Sequence, residues 1–193
     1  MDWWLFHRIN VLQQRTGWAH GVMREYAKYG VVVFAALLLG AGVLSLRRSP
    51  RALARTIAGA AAALAALAVN QPIARAVDRA RPFASHANVH VLVTKGGDPG
   101  FMSDHALVAG AVAAGLCFVS VRLGLVTAAA AALMAFARVY VGAHYPGDVL
   151  AGLAFGAVVA IIAVRLADRF LAPLLARLFA TPIGRRVATY DPI

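Results

Sequence analysis

The sequence predicts an all-α protein, a polytopic membrane helix bundle with five transmembrane helices plus an N-terminal interfacial amphipathic helix. Three observations carry that reading. Of the 193 residues, 61% are hydrophobic and only 14% are charged, where a soluble domain is about half apolar and about a quarter charged. Mean hydropathy is +0.72. Five stretches, residues 30–46, 56–74, 106–121, 123–137 and 149–164, carry no charge at all. A soluble five-helix bundle would need polar outer faces that these stretches lack. Disorder, collagen and coiled coil are excluded by the low charge and by the absence of a Gly-x-y or heptad period. Cys117 is the single cysteine and sits in an apolar run, so there is no disulfide framework and no cysteine-rich zinc site. The net charge of +11, from 19 Lys and Arg against 8 Asp and Glu, points in so apolar a chain to a membrane surface or an anionic lipid, not to nucleic acid.

Each element has its own signature within a single domain of residues 1–193. In residues 1–29, Trp3, Trp4, Phe6, Trp18, Tyr26 and Tyr29 alternate with Arg8, Arg15, Arg24 and Lys28. Trp18, Val22 and Tyr26 recur at i+4, the mark of an amphipathic helix with its aromatics at headgroup level. His7 and His20 belong to this helix. Asp2 and two tryptophans stand where a signal peptide needs a basic region, so the segment is expected to stay on the mature chain. The transmembrane core is residues 30–167. Several of its spans fall short of the roughly 20 residues that cross the hydrocarbon, and flanking arginines extend them to the interface. Runs of alanine and glycine, as at 58–68 and 128–132, suit close helix contact in lipid. A basic tail, residues 168–193, completes the chain.

Arginine placement sets the topology. Arg47, Arg48, Arg51 and Arg55 follow span one, Arg122 lies between spans three and four, and Arg165, Arg169, Arg177, Arg185 and Arg186 follow span five. With five spans these segments share one side, which the positive-inside rule makes cytoplasmic. The loop 77–103 and the turn 142–147 then face outward together, and they hold most of the unusual chemistry.

Three clusters stand there. Arg75, Asp78, Arg79 and Arg81-Pro82 close span two. They read either as a snorkelling flank or as guanidinium forks suited to phosphate oxygens. Ser103-Asp104-His105 opens span three, where Ser103 or Asp104 can cap the helix and the free N–H groups favour an anion. Arg138, His144 and Asp148 surround the turn before span five, with Pro146 in its first turn. His144 and Asp148 are four apart, so one helical turn can bring the carboxylate to the imidazole and leave the other ring nitrogen free. Ionisable groups at membrane depth are functional candidates. His86 and His90 read as loop residues. The stretch 95–100 is rich in turn residues, and its double glycine is too short for a nucleotide fingerprint.

These residues resemble the type 2 phosphatidic acid phosphatase superfamily of membrane lipid phosphatases. That family carries Lys-x6-Arg-Pro, Pro-Ser-Gly-His and Ser-Arg-x5-His-x3-Asp. Here Arg81-Pro82 matches the end of the first motif, Ser103-Asp104-His105 most of the second, and Arg138, His144 and Asp148 the third. Ala74 replaces the lysine, with Arg75 or Arg79 as substitutes; Met102 replaces a proline and Ala137 a serine. Asp104 in place of glycine is similar to the branch that dephosphorylates undecaprenyl diphosphate, the bacitracin-resistance type, and Ile9-Asn10 also looks like that branch.

The resemblance implies a metal-independent, cofactor-free hydrolase of the cell membrane, working on a polyprenyl or phospholipid phosphate at the extracytoplasmic face of a bacterial-type bilayer. It implies that His144 attacks phosphorus and forms a phosphohistidine, that Asp148 orients it, and that His105 protonates the leaving oxygen. Arg81, Arg138, Ser103, Asp104 and Arg75 would then form the phosphate-binding set, each preorganised donor contributing about 3 kcal/mol. Two other readings stay open: a metal-binding membrane protein using His105, His144 and Asp148 as ligands, and a noncatalytic protein that binds anionic lipid.

Overall fold

The computed structural model describes residues 1–93 and 99–181, and every element among them is helical. Residues 95–98 of the glycine-rich loop, and Arg185 and Arg186 of the tail, lie outside the described residues. The chain runs through α1 (Asp2–Arg15), a 3-10 turn (Gly17–Ala19), α2 (His20–Tyr29), α3 (Val31–Leu46), α4 (Pro50–Val77), α5 (Pro82–Ser85), α6 (Asp104–Cys117), α7 (Val121–Tyr140) and α8 (Pro146–Leu166). A π-helical turn (Ala167–Leu171) then leads into α9 (Ala172–Ala180).

The N-terminal segment departs from the single interfacial helix that its periodicity predicts. It breaks at Thr16, whose hydroxyl donates back to the Leu12 carbonyl at 2.8 Å and pairs with the Tyr140 hydroxyl at 2.7 Å, a local bond that competes with helix continuation. Trp18 and Val22 do stand outward, 86% and 70% exposed. Tyr26 turns inward and donates to the Ala130 carbonyl at 2.9 Å. α1 docks on the bundle, with Phe6 fully buried among Ala106, Ala135, Val139, Tyr145 and Val149.

α4 begins with Ser49 accepting from the Ala52 N–H and Pro50 in the first turn, a strong helix start. It ends at Asp78, whose φ of 44° is left-handed and turns the chain out of the helix. Among the described residues three helical runs are long and apolar enough to cross a membrane, Pro50–Ser85, Val121–Tyr140 and Pro146–Ala180; the pair Gly17–Tyr29 and Val31–Leu46, bent by 57°, makes a fourth if taken as one span. The sequence reading expects five. The difference is α6, whose 14 residues reach about 21 Å against about 30 Å of hydrocarbon. It lies at the centre of the bundle against α4, α7 and α8. The run from Pro146 continues to Ala180, past the boundary at residue 168.

Glycines let α6 and α8 touch backbone to backbone. A Cβ on Gly156 would lie 2.1 Å from the Leu107 carbonyl oxygen, and one on Gly110 would lie 2.3 Å from that of Leu153. At one end of the bundle, Asp168 accepts from both Arg55 (2.8 and 2.9 Å) and Arg51 (3.1 Å twice), and Arg55 also donates to the Phe118 carbonyl at 2.7 Å. The arginine-rich segments therefore do share one end, as their spacing predicts. The other end carries the site.

Candidate active site

The site is built where α7 gives way to α8. The turn is fixed by Gly142, with φ of 81°, a conformation that favours glycine. The Leu92 N–H also donates to the Val141 carbonyl at 3.0 Å, tying the outer loop to this turn. His144 follows, only 3% exposed.

The hydrogen bonds around His144 define its state. Nδ1 lies 2.9 Å from the Gly100 carbonyl oxygen, which can only accept, so Nδ1 carries the proton. Nε2 then presents its lone pair, and it receives Arg81 Nη1 at 3.2 Å and Arg138 Nη2 at 3.1 Å. Those guanidiniums are themselves anchored on backbone carbonyls. Arg81 Nη1 donates to Ala143 at 3.0 Å, and Arg138 Nη1 to Ala27 at 2.9 Å. Burial, with the charges of Arg138 and Arg81 adding to it, holds the imidazole pKa well below its ordinary value. The ring is therefore neutral, with its Nε2 lone pair held between two cations.

Asp148 sits differently from its predicted place. Its nearer oxygen is 3.9 Å from His144 Nδ1, and Gly100 takes the ring proton instead. The carboxylate is already engaged, accepting the Tyr145 N–H at 2.9 Å as it caps α8 and Arg79 Nη1 at 2.8 Å. It backs the histidine without bonding to it.

A cavity of about 190 Å³ opens in front of Nε2, lined by Asn70, Gln71, Ala74, Arg75, Arg81, Pro99, Met102, Asp104, His105, Arg138 and His144. Six of the eight predicted site residues thus share one wall. Because α4 stops at Val77, Arg75 and Arg81 reach the same space although they do not share a helical face. Arg79 does not join them. Ser103 is the N-cap of α6 and fully buried, and its Oγ and the buried Arg138 Nε have no hydrogen-bond partner among the described residues. Among the described residues no three His, Cys, Asp or Glu side chains gather as a metal site.

Sequence reasoning missed several supports. Asn70 is buried and donates to the Met102 carbonyl at 3.1 Å and to Asp104 Oδ1 at 2.8 Å, so it holds the start of α6. The polar pair Asn70-Gln71 inside an Ala-rich span was the available signal. Asn10 clamps His90 from both sides, donating to its carbonyl at 2.7 Å and accepting its N–H at 3.1 Å. His90 also pairs with Gln13 at 2.8 Å, and His86 stacks on Trp3 at 3.6 Å, so both loop histidines dock on α1.

The chain is similar to several known proteins. The family model of the PAP2 superfamily matches residues 55–171. Over 187 residues the chain is 26% identical to the undecaprenyl-diphosphatase BcrC of Bacillus subtilis (strain 168), covering 96% of this chain and 95% of that protein. A lipid A 1-phosphatase of Rhizobium johnstonii is 46% identical over 57 residues, 30% of this chain and 23% of that protein. The crystal structure of a transmembrane PAP2-type phosphatidylglycerolphosphate phosphatase from Bacillus subtilis superposes with a TM-score of 0.57 over 85% of this chain and 86% of that one, at 18% identity.

Proposed function

Since the chain belongs to the PAP2 superfamily, we propose that it is a membrane phosphatase that hydrolyses a polyprenyl diphosphate, first of all undecaprenyl diphosphate, to the monophosphate and inorganic phosphate. The observation that carries this reading is His144 Nε2, a neutral, buried nucleophile between two guanidinium groups at the wall of a cavity that also holds His105. A substrate phosphoryl group entering there meets Arg81, Arg138 and Arg75. The buried Ser103 Oγ and Arg138 Nε, without partners among the described residues, are further donors for its oxygens. The relationship to the Bacillus undecaprenyl-diphosphatase, over 96% of this chain, supports the polyprenyl substrate.

In this reading Nε2 attacks phosphorus in line, and the bond from phosphorus to the bridging oxygen breaks. His105 gives that oxygen its proton, so polyprenyl phosphate leaves and a phosphohistidine remains. Water then attacks phosphorus as His105 takes its proton, and phosphate departs with His144 regenerated. Arg81 and Arg138 turn their N–H groups from Nε2 to the equatorial oxygens as charge spreads. Asp148 acts through the shape of the turn. Asp104, anchored by Asn70, accepts and cannot donate to an ionised phosphate, so its part in the binding set is electrostatic, offsetting the surrounding cations. Five passes, with α6 as the short central one, would place the site on the extracytoplasmic side of the cell membrane.

The local identity to a lipid A 1-phosphatase favours a second reading, the same chemistry on another lipid phosphate. Both are tested by phosphate release from purified protein across polyprenyl diphosphate, phosphatidate and phosphatidylglycerol phosphate, with and without EDTA. Polyprenyl diphosphate is expected to be fastest, chelator to have no effect, and His144→Ala to lower the rate by about 100-fold or more. Normal turnover by His144→Ala overturns the assignment, and loss of activity in EDTA favours a metal centre.

A further inference from the structure

The N-terminal helix reaches the catalytic turn through one acidic residue. Asp2 Oδ1 accepts the Gly147 N–H at 2.8 Å, in the first turn of α8. Its other oxygen takes Arg79 Nη2, while Arg79 Nη1 donates to Asp148 Oδ1 at 2.8 Å. The Arg79 guanidinium lies over the Tyr145 ring, 4.4 Å from its centroid. The Arg79 carbonyl also accepts the Gly100 N–H at 2.7 Å, and Gly100 is the residue whose own carbonyl fixes the His144 tautomer. One arginine thus grips both supports of the nucleophile, and Asp2 holds that arginine and the helix end together. A Cβ on Gly147 would lie 2.8 Å from Asp2 Oδ2, so the approach is close.

We propose that Asp2 and Arg79 form a clamp that positions His144 for attack, so that α1 is part of the catalytic apparatus and not only a membrane anchor. Neither residue lines the cavity; both act through Asp148, Gly100 and the start of α8. This rests on the phosphatase reading above. Small displacements of a reacting group reduce turnover strongly while leaving ground-state binding intact. The clamp therefore governs kcat more than KM. The Arg79 ion pair also gives the buried Asp148 carboxylate a cationic partner.

The experiment compares Asp2→Ala, Asp2→Glu, Arg79→Gln and Arg79→Lys in the full chain with wild type. Asp2→Ala and Arg79→Gln are expected to lower kcat about tenfold or more with KM within about threefold, and Asp2→Glu and Arg79→Lys to recover part of it. A second readout needs no turnover: modification of His144 by diethylpyrocarbonate, followed by mass spectrometry, rises several-fold in Asp2→Ala and Arg79→Gln while that of His7 stays constant. Unchanged kcat and unchanged His144 labelling in folded variants overturn the clamp, as does an effect confined to KM. If wild type releases phosphate from none of the lipids, the phosphatase reading fails, and the labelling still decides whether the clamp shields His144.

Discussion

His144 combines two requirements that oppose each other in water, being unprotonated and being close to cations. Burial resolves the conflict. It holds the pKa well below 6.5, and Arg138 and Arg81 lower it further, so under the proposed chemistry the ring would meet a phosphate as a neutral base. Turnover should therefore persist into mildly acidic solution, with an acid limb below the ordinary imidazole range. Arg138→Gln removes one of the depressing charges. Its residual activity should show the acid limb moved to higher pH, measured as kcat/KM against pH. The stability linkage has a defined sign. The unfolded chain takes up a proton on this histidine near 6.5 and the folded chain only lower, so the contribution of His144 to stability is complete above that pH and declines as pH falls between the two values. At this scale much was legible. The spacing of Arg138, His144 and Asp148 brought the guanidinium to the imidazole, because one turn and one helix start join them, whereas the carboxylate stays 3.9 Å from the ring. The bond from His144 to the Gly100 carbonyl was not legible, since a backbone acceptor leaves no residue signature.

Among the elements, α6 carries Asp104 and His105 to the cavity and packs most extensively against α8. α6 is too short to span alone, and it is held in place by carbonyls lying where Cβ atoms would be. Gly156→Val would drive a branched side chain into the Leu107 carbonyl, 2.1 Å from its first atom. Overpacking of this kind costs about 1–3 kcal/mol or more, and the backbone here has no side chain to move aside. The variant should melt well below wild type in detergent and lose activity in proportion to its folded fraction. Gly42→Val, where a Cβ meets nothing within 4 Å, should change neither. Elements were legible where charge-free stretches coincide with helices, as for α3, α4, α7 and α8. The N-terminal segment was not, because periodicity at Trp18, Val22 and Tyr26 carries no record of the Thr16 break or of the tertiary partner that buries Phe6.

For the whole molecule, the two ends of the bundle have opposite chemistry. One gathers Arg51, Arg55 and Asp168; the other gathers the cavity and the aromatic α1. The ends were legible from arginine placement, but the closure of α1 over the site was not, since Asp2 and Arg79 lie 77 residues apart and neither belongs to a motif. Orientation follows from the bias in Lys and Arg on short loops, which outweighs acidic residues in setting topology. Arg47 sits at the arginine-rich end after α3, and Ser85 closes α5 beside the site; both are exposed. In a Cys117→Ala background, Ser85→Cys should react with a membrane-impermeant maleimide on intact spheroplasts, and Arg47→Cys only after permeabilisation. The reverse pattern would put the cavity in the cytoplasm and overturn the extracytoplasmic placement, while the histidine chemistry stood.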